Sequence, residues 1–245
     1  MVIVFWITGL LMSVYISLYV IKRNREVGYT ILTVFLAGYI LIANILTPRL
    51  TTISLGSVGF VIITGSIIWP FTAQISDMIN EVYGKKKTYY AAGLAYIVNL
   101  LFVIFVLMAG ETKAVWNTDM ETFWRDYFMP SGRVFLASSI SYIICQLIDI
   151  NIFSHYKEKF RMRESQSKLA GLIGLSSIRS VLSDMVNLAC DAIIFPILAF
   201  AFVLPIDSII DLIFGSILFK VLLSILDTPL FTLFRVKIKE VERQK

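Results

Sequence analysis

Charge is scarce in this chain. Charged residues make up 16% of its 245 residues, against roughly a quarter in a soluble domain, which excludes an ordinary water-soluble fold. Histidine occurs only at His155, at the end of an apolar run, so a metal site lacks the ligands it would need. The two cysteines, Cys145 and Cys190, both fall inside apolar runs, which excludes an extracellular disulfide framework. No P-loop is present. A GxSG motif with a partner histidine and a GxGD aspartyl pair are also missing, so no enzymatic activity and no cofactor are expected. Low-complexity tracts, clear repeats and a soluble domain are absent as well.

What is present is hydrophobic. Hydrophobic residues make up 58% of the chain, and runs of about 20 apolar residues, enough to cross a roughly 30 Å hydrocarbon core as helix, recur along it. Seven are read, at 2–21, 29–47, 57–78, 88–109, 133–154, 178–203 and 208–235. They are too long for membrane strands and lack strict alternation, so the expected fold is all-α, a polytopic membrane helical bundle. The first run has no preceding basic residue and no small-residue cleavage site after it, and is read as a true span rather than a signal peptide.

Basic residues orient the bundle. Lys22, Arg23 and Arg25 follow the first run, Lys85 to Lys87 the third, Lys157 to Lys168 the fifth, and Arg235 to Lys245 the seventh. The opposite loops hold only Arg49, Lys113, Arg125 and Arg133. By the positive-inside rule the N-terminus is outside and the C-terminus in the cytoplasm. The net charge of +5 is then a matter of topology and calls for no nucleic-acid partner. The outer loop at 110–132, acidic and rich in Trp and Phe, reads as an interfacial segment with aromatic anchors, or as a lid over an outward-facing site.

Polar groups inside a bilayer are costly, about 2.5–3.5 kcal/mol for a central Asp, Lys or Arg, yet here they recur in stripes. Gln74, Asp77 and Glu81 lie at i, i+3 and i+7 on the third span, and Gln146 and Asp149 at i, i+3 on the fifth. Arg179, Ser183, Asn187 and Asp191 recur every fourth residue on the sixth span, with Asp184 beside them. The seventh span carries Lys220 and Asp227, and the fourth carries Asn99. Such stripes avoid lipid only by converging on a common interior. Asn80 and Glu81 could instead cap a helix end, and Arg179 could snorkel to the interface. The deep acids outnumber Arg179 and Lys220. An interior of that kind suits a small polar ligand rich in N–H donors, cationic or with some of the acids held neutral. Trp69, Phe71, Tyr142 and Phe153 flank the stripes, where they could stack on a planar ligand or simply pack.

Four blocks, "PFTAQISDMINEVYGKKK", "SYIICQLIDINIFSHYK", "RSVLSDMVNLACDAIIF" and "FKVLLSILDTPLF", resemble the queuosine precursor transporter family, also called the vitamin uptake transporter family. The resemblance runs from about residue 29 to 235 and implies a six-span transporter core there. Residues 1–28 would then be an additional N-terminal helix with a basic cytoplasmic loop, and 236–245 a basic cytoplasmic tail. It further implies a multi-pass plasma-membrane protein that imports a 7-deazaguanine (preQ0, preQ1 or queuine) for tRNA modification. The substrate-binding residues carried over are Asp77, Asn80, Glu81, Gln146, Asp149, Arg179, Asp191, Lys220 and Asp227. Asn187 joins them from its stripe, and Phe71 and Phe153 as stacking candidates. A guanine-like edge offers parallel N–H donors that a carboxylate accepts together.

Two other classes compete. A core that binds vitamin or nucleobase could depend on a separate energising ATPase module, and assembly as a homo-oligomer stays open. A seven-helix retinal protein would use Lys220 as its Schiff base. The third span lacks the expected arginine–aromatic–aspartate–tryptophan pattern, and Asp227 lies on the wrong side of Lys220.

Overall fold

The structure, a computed structural model, describes residues 2–55, 58–112, 119, 121–122, 131–166 and 169–243. Most of the loop at 110–132 lies outside them, so neither its interfacial nor its lid reading is addressed. The described helices are α1 (Val2–Arg23), α2 (Arg25–Leu46), α3 (Trp69–Tyr83), α4 (Lys85–Glu111), α5 (Ser131–Gln166), α6 (Leu169–Phe200) and α7 (Ile206–Arg243). All but α3 are long and apolar enough to cross a membrane. The fold is therefore a helical membrane bundle, as expected. Helix α7 runs on without a break into the segment read as a tail.

The third span departs from expectation. Its first part is not helix but strand β2 (Val58–Ile63), which pairs antiparallel with β1 (Leu50–Leu55) from the stretch before the run, followed by a single 3-10 turn, Thr64–Ile67. The residues explain why. "LTTISLGSVGFVII" is rich in β-branched side chains and broken by glycines, which is strand chemistry, and Pro70 sits in the first turn of α3, where a proline costs no hydrogen bond. Helix α3 has 15 residues, about 22 Å at 1.5 Å per residue, short of the hydrocarbon thickness without the 3-10 turn. The end of β2 is buried, with Ile62 clustered with Trp6 and Phe219 and Ile63 with Phe195 and Leu212, while Leu50 and Val61 of the hairpin are exposed. Gly215 on α7 makes the approach possible. A Cβ there would lie 2.6 Å from the Val61 carbonyl oxygen.

Helix α3 is wrapped by the others, and every residue from Trp69 to Val82 is buried. It ends at Gly84, whose φ of 81° favours glycine. Helix α1 is docked rather than peripheral. Trp6, Leu10, Val14, Leu18 and Ile21 form one buried stripe, while Val4, Phe5, Met12 and Tyr15 face outward. The Trp6 indole donates to the Ile67 carbonyl at 2.8 Å, and the Ser13 and Tyr39 hydroxyls are hydrogen-bonded across α1 and α2. On α4 the outward face (Leu94, Ile97, Leu101, Ile104, Phe105, Met108) is apolar and exposed, as lipid requires. Its inward Asn99 donates to Ser139 at 2.9 Å and accepts from Asn44, which also accepts from Ser138 at 2.6 Å. This network joins α2, α4 and α5 inside the apolar bundle.

Candidate functional site: a buried polar track

Helices α3, α5, α6 and α7 bring their polar stripes together, and the contacts form three tiers. The tier nearest the ends of these helices away from the basic clusters centres on Asp191. Its carboxylate pairs with the Lys220 ammonium and accepts the Ser141 hydroxyl at 2.7 Å. The Lys220 Nζ also stands 6.0 Å from the centroid of a Trp69 ring. Serine at 141 lets α5 approach closely and supplies a donor that the expected set had not included.

The middle tier is a carboxylate cluster. Asp77 on α3, Asp149 on α5 and Asp184 on α6 place carboxylate oxygens within 4.8 Å of one another, all fully buried. The Ser180 hydroxyl lies 3.1 Å from Asp77 and 3.3 Å from Asp184, and the Ser183 hydroxyl donates to Asp149 at 2.5 Å. Gln146 donates to the Ser76 hydroxyl at 2.5 Å, and Gln74 to the Asp227 carbonyl at 3.4 Å. Asp227 is itself buried. One oxygen each of Asp149, Asp184 and Gln74 has no hydrogen-bond partner among the described residues. Asn187 is buried between the turns that carry Asp184 and Asp191.

The third tier closes the end that carries the basic clusters. Glu81 pairs with Arg235 of α7 and lies 4.0 Å from Lys157 of α5. Lys157 also donates to the carbonyls of Asn80 at 2.5 Å and Glu81 at 2.9 Å, and Arg25 donates to the Val82 carbonyl at 2.8 Å. Asn80 donates to Ser154 at 2.9 Å. Cations on the last carbonyls of α3 complement the negative end of its dipole. Asn80 and Glu81 thus tie α3 to α5 and α7 at the end that carries the basic clusters.

The other candidates fall elsewhere. Phe71 packs against Trp6 and Tyr39, at ring-centroid distances of 5.3 and 5.0 Å, and Phe153 against Phe231 at 5.8 Å. Arg179 lies on α6 one residue before Ser180, but its side chain is outside those described. Arg235 and Lys157, counted among cytoplasmic loop charges, were the main omissions. Their signal was register: Arg235 follows Asp227 by eight residues, close to two helical turns.

Membrane-crossing helices packed around a polar track that runs along most of their length define a polytopic membrane protein with the interior of a transporter. A family model described as "Putative vitamin uptake transporter" matches residues 64–234, from the 3-10 turn into α7. The chain belongs to the vitamin uptake transporter family. No curated protein and no solved structure matches it.

Proposed function

We propose that this chain is a plasma-membrane importer of a 7-deazaguanine precursor of queuosine, such as preQ0 or preQ1. The observation that carries this reading is the acid excess of the buried track. Asp77, Asp149, Asp184, Asp191 and Asp227 are all under 6% exposed, and the Lys220 charge offsets only that of Asp191. A guanine-type face brings an N1–H and an exocyclic amine, donors that suit such carboxylates, and an aminomethyl substituent adds a positive charge. The four motif blocks that carry these residues resemble the queuosine precursor transporter family, which supports the same reading.

The test is ligand binding to the detergent-purified chain by thermal shift and calorimetry, with preQ1, preQ0 and guanine. The reading expects saturable stabilisation by a deazaguanine, with the cationic preQ1 ahead of neutral preQ0, and a loss of at least tenfold in Asp149→Asn, about 1.4 kcal/mol. Indifference to all three compounds would overturn it.

A further inference from the structure

Near the end of the track away from the basic clusters a small cavity, ≈ 20 Å³, opens among Ser66, Trp69, Ser138, Asp191, Phe195 and Lys220. That is room for about one water, so a larger guest must widen it. Its chemistry is nonetheless specific. An ammonium has three N–H donors. One of those on Lys220 goes to Asp191, and no other hydrogen bond from Lys220 is formed among the described residues. A carboxylate has about four acceptor positions, and Asp191 uses one for Ser141 and one for Lys220. The Ser216 hydroxyl, one turn before Lys220, is buried without a hydrogen-bond partner. A donor and an acceptor with capacity to spare therefore stand side by side, with Trp69 and Phe195 on the cavity wall.

We propose that the Lys220–Asp191 pair is the recognition element for a lactam edge, a ring carbonyl next to a ring N–H, on a planar heteroaromatic guest. The inference rests on the deazaguanine reading above and adds which edge of the base is read, and where. The ring N–H donates to Asp191 and the carbonyl accepts from Lys220, so the guest inserts into the ion pair without leaving either charge unsatisfied. Trp69 and Phe195 flank the ring plane. A guest with only donors, or only acceptors, strands one member of a buried pair. Discrimination between a lactam and an alkylated relative is then large, because the unmatched member of the pair loses its designed partner in a buried site with few alternatives.

The experiment compares preQ1 with its O6-methyl analogue, which lacks both the ring N–H and the carbonyl, on the purified full chain. Affinity is read by calorimetry, and occupancy by tryptophan fluorescence. The inference expects the O6-methyl compound to bind at least about a hundredfold more weakly. It also expects preQ1 to change the emission of the native chain but not of Trp69→Phe, and Phe195→Leu to weaken preQ1 binding about tenfold. The ligand-side comparison needs no substitution, so a misfolded variant cannot obscure it. Equal binding of both compounds, or an unchanged preQ1 affinity in Phe195→Leu with the emission change retained in Trp69→Phe, would overturn the inference and leave the importer reading standing. If no deazaguanine binds the native chain, the importer reading fails and takes the inference with it.

Discussion

Replacing Arg235 by Met should destabilise the bundle strongly, and the structure gives the size of the effect. The Glu81 side chain is 1% exposed and that of Arg235 11%, so the pair is removed from water on both sides. Removing one member of a buried pair costs about 3–5 kcal/mol, because the other charge is left without its counter-ion. Lys157 stays within 4.0 Å of Glu81 and offsets part of that, which puts the expectation near the lower end, about 3 kcal/mol. Glu81→Gln in the Arg235→Met background removes the stranded charge and should recover much of the loss. The assay is a double-mutant cycle on unfolding in mixed detergent micelles, which isolates this pair from the other contacts of both residues. A coupling energy of about 1.5 kcal/mol or more is expected. A coupling under about 0.5 kcal/mol, the range of exposed pairs, would refute the view that this pair sits in a dry site.

Three further changes test the fold that holds the track. Gly215→Ala should lower stability by about 1–3 kcal/mol, since its Cβ would meet the Val61 carbonyl oxygen at 2.6 Å; Gly93→Ala, with nothing within 4 Å of its Cβ, should be neutral or slightly stabilising. Thermal melts of the two variants side by side check the docking of the hairpin. Asn99→Leu breaks the link between α2, α4 and α5 and should cost about 1–2 kcal/mol, read from the same melts. Trp6→Phe keeps the ring but loses the 2.8 Å bond to Ile67. It should cost about 1 kcal/mol, and a melting temperature equal to that of the native chain would contradict the anchoring of α1.

Much of this architecture is legible from hydropathy and charge alone, and the exceptions have physical causes. Six long helices follow from run length, because backbone groups in lipid must be satisfied within the segment. The polar stripes at three- and four-residue spacing predict a shared interior, and the Asp77, Asp149 and Asp184 cluster fulfils it. The hairpin is hidden because a short apolar strand and a helix segment look alike by periodicity; the β-branched "TTISL" and "VGFVII" segments carried the signal that hydropathy averages away. Arg235 is misplaced by a rule that counts charges near helix ends without knowing which face they occupy. Ser183 shows in the sixth-span stripe, but serines 141 and 180 are silent for a different reason. A hydroxyl costs little in a helix, so only the partner across the interface shows that it is a donor to a buried carboxylate.

The central claim, that the track carries a deazaguanine across the membrane, is tested most directly by uptake into proteoliposomes holding this chain alone. Labelled preQ1 should enter at a saturable rate, be displaced by unlabelled preQ0 or preQ1 but not by the O6-methyl analogue, and stay near the empty-vesicle background with Asp149→Asn. Entry of preQ1 no faster than into empty vesicles, with folded protein that binds it in detergent, would contradict transport by the chain itself and turn the search to a separate energising partner.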